Sequence, residues 1–177
     1  ALGQSGVAAG NAPSLAALIL LAPLVAMQLT TGVNWTVGDF LFAALMIGVV
    51  GAAFELTVRV SPNHSFRGGV AAALAASFLI VWATGAVGMI GNEDNPYNLL
   101  FFGVIALALG GSVVANFRPA GMAVAMLVAA VAQAAVALGG LSMDVRGAIL
   151  SALFSLLWLF AAALFRMCTR YAQSGRW

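Results

Sequence analysis

Glu55 and Arg59 stand four residues apart in a stretch that carries no other charge between Phe40 and Val58. On a helix that spacing puts both side chains on one face, where a carboxylate and a guanidinium support each other. The chemical alternative is a proton or cation site, because a carboxylate inside a membrane is functional by default. At 1.5 Å per residue Glu55 lies only about 6 Å from Arg59, which favours a boundary ion pair. A proton relay also needs several titratable groups in series, and no other apolar segment offers a second carboxylate. Glu55 continues the small-residue stripe Ala44, Gly48 and Ala52, with Gly51 beside it, so this face is expected to turn toward other helices. A second polar position, Gln133, sits on the stripe Ala125, Ala129, Gln133 and Ala137. An amide there bonds across a helix contact for about 1 kcal/mol or less.

Other polar residues offer less chemistry. The segment GNEDNPYN, Gly91 to Asn98, holds Glu93 and Asp94, oxygen donors of the kind a hard cation takes. Their spacing fits no calcium loop, and Asn95-Pro96 reads as a turn that caps the next helix. His64 and Arg67 share the loop SPNHSFRGG, where they are placed to meet lipid phosphate. One cysteine, Cys168, excludes an internal disulfide, and one histidine excludes a multi-histidine metal or haem site. The chain has no Ser/His/Asp set, P-loop or HExxH motif, so it is not expected to be an enzyme, and no cofactor or metal is assigned.

The elements that carry these residues follow from composition. Of 177 residues, 63% are hydrophobic and 7% charged, with a mean hydropathy of +1.07. A soluble surface needs roughly 25% charged residues, so the solvent for most of this chain is lipid. Crossing a hydrocarbon core takes about 20 mostly apolar residues. Six stretches qualify: Leu15–Thr31, Val37–Val60, Gly69–Ile90, Pro96–Phe117, Ala120–Leu138 and Arg146–Arg166. The expected fold is an all-α membrane protein, a bundle of six transmembrane helices in one domain over residues 15–166. Residues 1–14 form an N-terminal segment and 167–177 a C-terminal tail holding Cys168. No secretory signal is expected, since residues 1–14 lack a basic start.

Lysine is absent, and the arginines give the orientation. Arg59, Arg67, Arg118, Arg166, Arg170 and Arg176 fall on one side, and Arg146 alone falls on the other with Asp39, Glu93, Asp94 and Asp144. The positive side is normally cytoplasmic, so both termini are expected inside. With so few charges the basic balance implies no nucleic-acid partner. Trp35, Tyr97, Phe66, Phe117, Tyr171 and Trp177 are placed near the interfaces, while Trp82 and Trp158 lie deeper. Sliding the chain so that Leu41 meets Leu100 also pairs Phe42 with Phe101, Gly51 with Gly110 and Arg59 with Arg118. Arg146 and Arg166 bracket the sixth stretch in the same frame. Three tandem helical hairpins would give this pattern, and so would the demands a bilayer makes on every inward-going span.

The run Gly91 to Ala123, GNEDNPYNLLFFGVIALALGGSVVANFRPAGMA, resembles small multi-pass inner-membrane proteins of proteobacteria that have no known activity. The resemblance covers about a fifth of the chain and implies a bacterial cytoplasmic membrane. Size and span count are also similar to the substrate-binding subunits of energy-coupling-factor transporters, whose motifs are not matched here. Two functions are therefore expected ahead of catalysis. One is an accessory or assembly subunit that packs on a membrane-protein partner or on itself, and the other is a carrier of a small solute, vitamin or lipid.

Overall fold

The computed structural model describes residue 21, residues 24–29 and residues 35–173, and these are helical apart from short connections. Most of the first expected span and the last residues of the tail lie outside the described residues. The helices are α1 (Val37–Val60), α2 (His64–Ala86), α3 (Leu99–Val114), α4 (Pro119–Gly139), α5 (Val145–Leu153) and α6 (Ser155–Gln173), with a 3-10 turn over Pro96–Asn98 before α3. Five segments are long and apolar enough to cross a membrane: Val37–Val60, His64–Ala86, Pro96–Val114, Pro119–Gly139 and Val145–Arg170. The chain divides into two compact units, residues 1–53 and 54–177, each taken by itself below.

The first unit contains the start of α1. Asp39 caps that helix by accepting from the backbone N–H and the hydroxyl of Thr36, at 2.7 and 2.8 Å. Trp35 meets Phe40 edge to face, with ring centroids 5.1 Å apart.

In the second unit α6 packs against α2 and α4, and α4 packs against α3 and α5. Small residues set the spacing. A Cβ on Gly69 of α2 would come within 2.8 Å of the Phe165 ring of α6, and one on Gly111 of α3 would come within 2.7 Å of Ala125 Cβ on α4. Each helix turns a stripe at three- and four-residue spacing inward: Gly69, Ala72, Ala76, Ile80 and Thr84 on α2, and Met122, Ala125, Met126, Ala129, Gln133 and Ala137 on α4. The opposite faces are apolar too, with Val124, Val128, Val131 and Leu138 of α4 exposed. A helix that is hydrophobic all round belongs in a larger core or in a bilayer. Here the exposed valines and leucines face lipid, and the chain is a multi-pass membrane protein.

Several boundaries differ from the sequence reading, each for a local reason. The third span begins at His64 rather than Gly69, because the Asn63 side chain accepts from Phe66 N (2.9 Å) and starts the helix early. It ends at Ala86 because Gly88, at φ +77, turns the chain where a Cβ would strike the Asn92 backbone. The fourth span stops at Val114, since Asn116 and Phe117 adopt positive φ and Phe117 N returns to Ser112 O. Arg118 is then the extended residue before α4, whereas Arg59 lies inside α1, so the two repeat partners have different backbones. The sixth span is interrupted at Phe154 and continues to Gln173, so much of the expected tail is helix and Cys168 is buried in it.

The first turn of α2 also terminates α1. Arg67 donates through Nε to Ser61 O (2.6 Å) and through Nη2 to Val58 O (2.7 Å), covering carbonyls that a helix end leaves without partners.

Gly69 gives the packing account a direct test. Phe165 is fully buried and edge-on to Phe66, with centroids 5.6 Å apart, so its ring has little room to move. Gly69→Ala should lower stability by about 1–3 kcal/mol, read as a lower unfolding temperature in detergent. Phe165→Leu in the same chain should recover part of that loss. An unchanged midpoint in Gly69→Ala would contradict the close approach of α2 and α6.

Candidate functional site

One group of polar residues in the second unit gathers at the end of the bundle formed by Gly88–Asn98 and Gly139–Gly147, where Asn95, Tyr97, Asn98 and Asp144 hold backbone groups. The sequence GNEDNPYN folds tightly because Gly91 adopts φ +75 and Pro96 follows Asn95, whose side chain accepts from Tyr97 N (3.0 Å). Asn98 is 2% exposed, and its amide serves both ends of the turn. Its Oδ1 accepts from Ile90 N (2.8 Å), and its Nδ2 donates to Asn92 O (2.7 Å) and Ile90 O (3.3 Å). Asn95 Nδ2 adds a second donor to Ile90 O at 3.0 Å. Tyr97 reaches across to α4 and donates its hydroxyl to Val136 O (2.7 Å). Asp144 joins the two connections: Oδ1 accepts from Gly147 N (3.0 Å) and caps α5, while Oδ2 accepts from Gly91 N (3.1 Å).

Below this cap the network enters the bundle. Ser151 of α5 donates its hydroxyl to Met89 O (3.1 Å). The interruption at Phe154 shifts the helix to a tighter turn, with Phe154 N bonded to Ser151 O (3.2 Å) and Leu157 N to Phe154 O (3.1 Å). Gln133 of α4, fully buried, donates Nε2 to the same Ser151 O (3.0 Å). Gln133 therefore bonds across a helix contact to a carbonyl at a helix break. Its Oε1 has no partner among the described residues, and the same is true of Thr84 Oγ1 and Trp158 Nε1.

Glu55 and Arg59 form an ion pair, Nε to Oε1 at 2.9 Å, with the side chains 73% (Arg59) and 59% (Glu55) exposed. Glu55, Ala44, Gly48, Gly51 and Ala52 are all exposed positions on α1. Ala129 is buried beside Gln133 on the α4 stripe. Arg118, Arg166 and Arg170 are exposed and Arg67 is half-buried on its carbonyls. His64 is the first residue of α2 rather than a loop residue, and Glu93 and Asp94 are exposed. Among the described residues no group of three His, Cys, Asp or Glu side chains is placed to hold a metal.

The sequence reading missed Asn98, Asp144 and the role of Ser151. An N-cap signal was present for Asp144, an aspartate immediately before an apolar helix. Its second bond, to Gly91, joins residues far apart in sequence and has no local signature. Comparison with family models, with curated proteins and with solved structures finds no match.

Two outcomes follow for the cap. Asn98→Ala strands Ile90 N and Asn92 O and should cost about 1–3 kcal/mol in unfolding free energy; a cost near zero would mean the turn holds itself. The backbone N–H groups of Gly147 and then Gly91 hold the Asp144 carboxyl below the ordinary carboxylate range. A carboxylate with a lowered folded-state pKa stabilises above its unfolded value and loses that contribution as pH falls through the folded one. Unfolding temperature should thus hold from neutral pH down to about pH 4 and decline below it. Asp144→Asn should lower the neutral-pH plateau and flatten that decline, whereas an identical acid profile would remove Asp144 from the cap.

Proposed function

We propose that this chain is an accessory or assembly subunit of a bacterial cytoplasmic membrane. In this reading both ends are cytoplasmic, the chain packs against a partner membrane protein or a second copy, and it carries out no catalysis itself. The observation that supports the reading is a division among its glycines. Gly69, Gly111, Gly121, Gly139 and Gly140 are each required inside the second unit, where an added Cβ would approach another atom to within 3.0 Å. Gly103 and Gly110 of α3 are not, since a Cβ built at either meets no heavy atom within 4 Å. They lie two turns apart on one exposed face with Ala106 between them. Gly48 and Gly51 of α1 are equally open within the first unit. Small residues in lipid-facing helices let another helix approach closely. Glycines that no neighbour in their own unit requires are free to take a close helix contact from outside it, which supports the subunit reading.

A second reading, a carrier of a small solute, vitamin or lipid, is favoured by the break at Phe154 beside the buried Gln133. Carriers place interrupted helices and polar groups at depth in the membrane.

Extraction of the chain from its native membrane in mild detergent, followed by native mass spectrometry, separates the two. The subunit reading expects a defined larger assembly that is lost in the Gly103→Leu/Gly110→Leu double variant while the unfolding temperature stays within a few degrees of wild type. Gly111→Leu, by contrast, should unfold the chain itself. A lone chain in both wild type and variant, stabilised by an added solute as binding to the folded state requires, would replace the subunit reading with the carrier one.

A further inference from the structure

We propose that Arg166 and Arg170 of α6 form a binding position for the phosphate of an anionic membrane phospholipid, whose acyl chains lie along the exposed apolar face of the same helix. The inference does not depend on the subunit reading. It starts from how the arginines at the end of the second unit opposite the cap are used. Arg59 is held by Glu55 at 2.9 Å. Arg67 spends Nε on Ser61 O and Nη2 on Val58 O, so its guanidinium is engaged with backbone. Arg166 and Arg170 are exposed, and among the described residues neither enters an ion pair or a side-chain hydrogen bond.

No aspartate or glutamate of the second unit is available to them. None follows Asp144 in the sequence. Glu93, Asp94 and Asp144 stand at the cap, beyond the other end of α6, and Glu55 is taken by Arg59. Two like charges four residues apart on a helix oppose each other, so this pair gains from an anion that both can approach. The planar guanidinium fork matches the oxygens of a phosphate. Basic residues near a helix C-terminus also favour the helix dipole, but that role asks for no ligand and makes no distinction between lipids.

Position along the span selects a phospholipid over free phosphate. Trp158 lies at the middle of the span Val145–Arg170. At 1.5 Å per residue Arg166 is about 12 Å along the helix from Trp158 and Arg170 about 18 Å. The two therefore stand on either side of the edge of a hydrocarbon core about 30 Å thick, the level at which lipid phosphates begin. Leu159, Ala163, Arg166 and Arg170 follow one another at four- and three-residue spacing on one face, and all four are exposed. Leu156 and Phe160 widen the apolar part of that face. Acyl chains laid on it lead to a headgroup at the two arginines. A zwitterionic headgroup would bring its own cation beside two guanidinium groups, whereas an anionic one brings none.

The test uses the full chain in dodecyl maltoside, titrated with phosphatidylglycerol or with phosphatidylcholine of the same acyl chains and followed by native mass spectrometry and unfolding temperature. Phosphatidylglycerol should stay bound to the wild type and raise its unfolding temperature, as a ligand of the folded state does. Phosphatidylcholine and inorganic phosphate should do neither. Arg166→Gln/Arg170→Gln should weaken phosphatidylglycerol binding by roughly thirtyfold, and Arg146→Gln, beside the cap, should leave it unchanged. The proposal is overturned if both lipids bind alike or if inorganic phosphate alone reproduces the shift. It is equally overturned if the double variant binds phosphatidylglycerol as the wild type does, the result expected of arginines that serve only the helix dipole. The comparison of lipids on the wild type decides the matter even if the double variant fails to fold.

Discussion

Backbone N–H and C=O groups that leave a helix and are buried away from water must find partners inside the chain. That constraint organises the second unit. Its helices pair their own backbones, but the connection Val87–Asn98 and the interruption at Phe154 leave carbonyls and amides without helical partners. The few polar side chains are placed at those points. Asn98 serves Ile90 and Asn92, Asn95 serves Ile90, Tyr97 serves Val136, Ser151 serves Met89 and Gln133 serves Ser151. Arg67 does the same for the end of α1.

Once the backbone is satisfied, packing decides the rest. Ala and Gly on the inward stripes allow α2, α4 and α6 to approach closely, and Trp158, Phe165 and Phe101 fill the space that remains. Such a core has dense contacts and few adjustable parts, so adding one methyl group at Gly69 or Gly111 is felt directly. The lipid-facing side carries no such demand, which is why apolar residues of many sizes occupy it.

Much of this architecture was legible in the sequence, because span length and apolarity are properties of continuous segments. Val37–Val60 reads correctly from hydropathy alone, and the buried α4 stripe through Gln133 reads from its spacing. What escaped depends on backbone conformation or on distant contacts. The early stop of α3 requires positive φ at Asn116 and Phe117, which no hydropathy pattern encodes. The break at Phe154 carries no proline or glycine to mark it, and the Gly91–Asp144 bond joins two separate loops. Small-residue spacing marked the α1 face around Gly48 and Glu55 as a packing surface, yet spacing does not say whether a helix of the same chain or of another covers it; the exposed placement of those residues is a structural fact.

The central claim, that polar side chains here hold backbone groups left without helical partners, is tested most directly by amide hydrogen exchange at the cap. Ile90 N and Gly91 N lie in a connection with no helical partner, but Asn98 Oδ1 and Asp144 Oδ2 accept from them. Both amides should be protected well beyond Glu93 and Asp94 in the same loop, with Ile90, whose bond is buried, approaching the protection of helix interiors. Exchange at Ile90 as fast as at Glu93 would contradict the account.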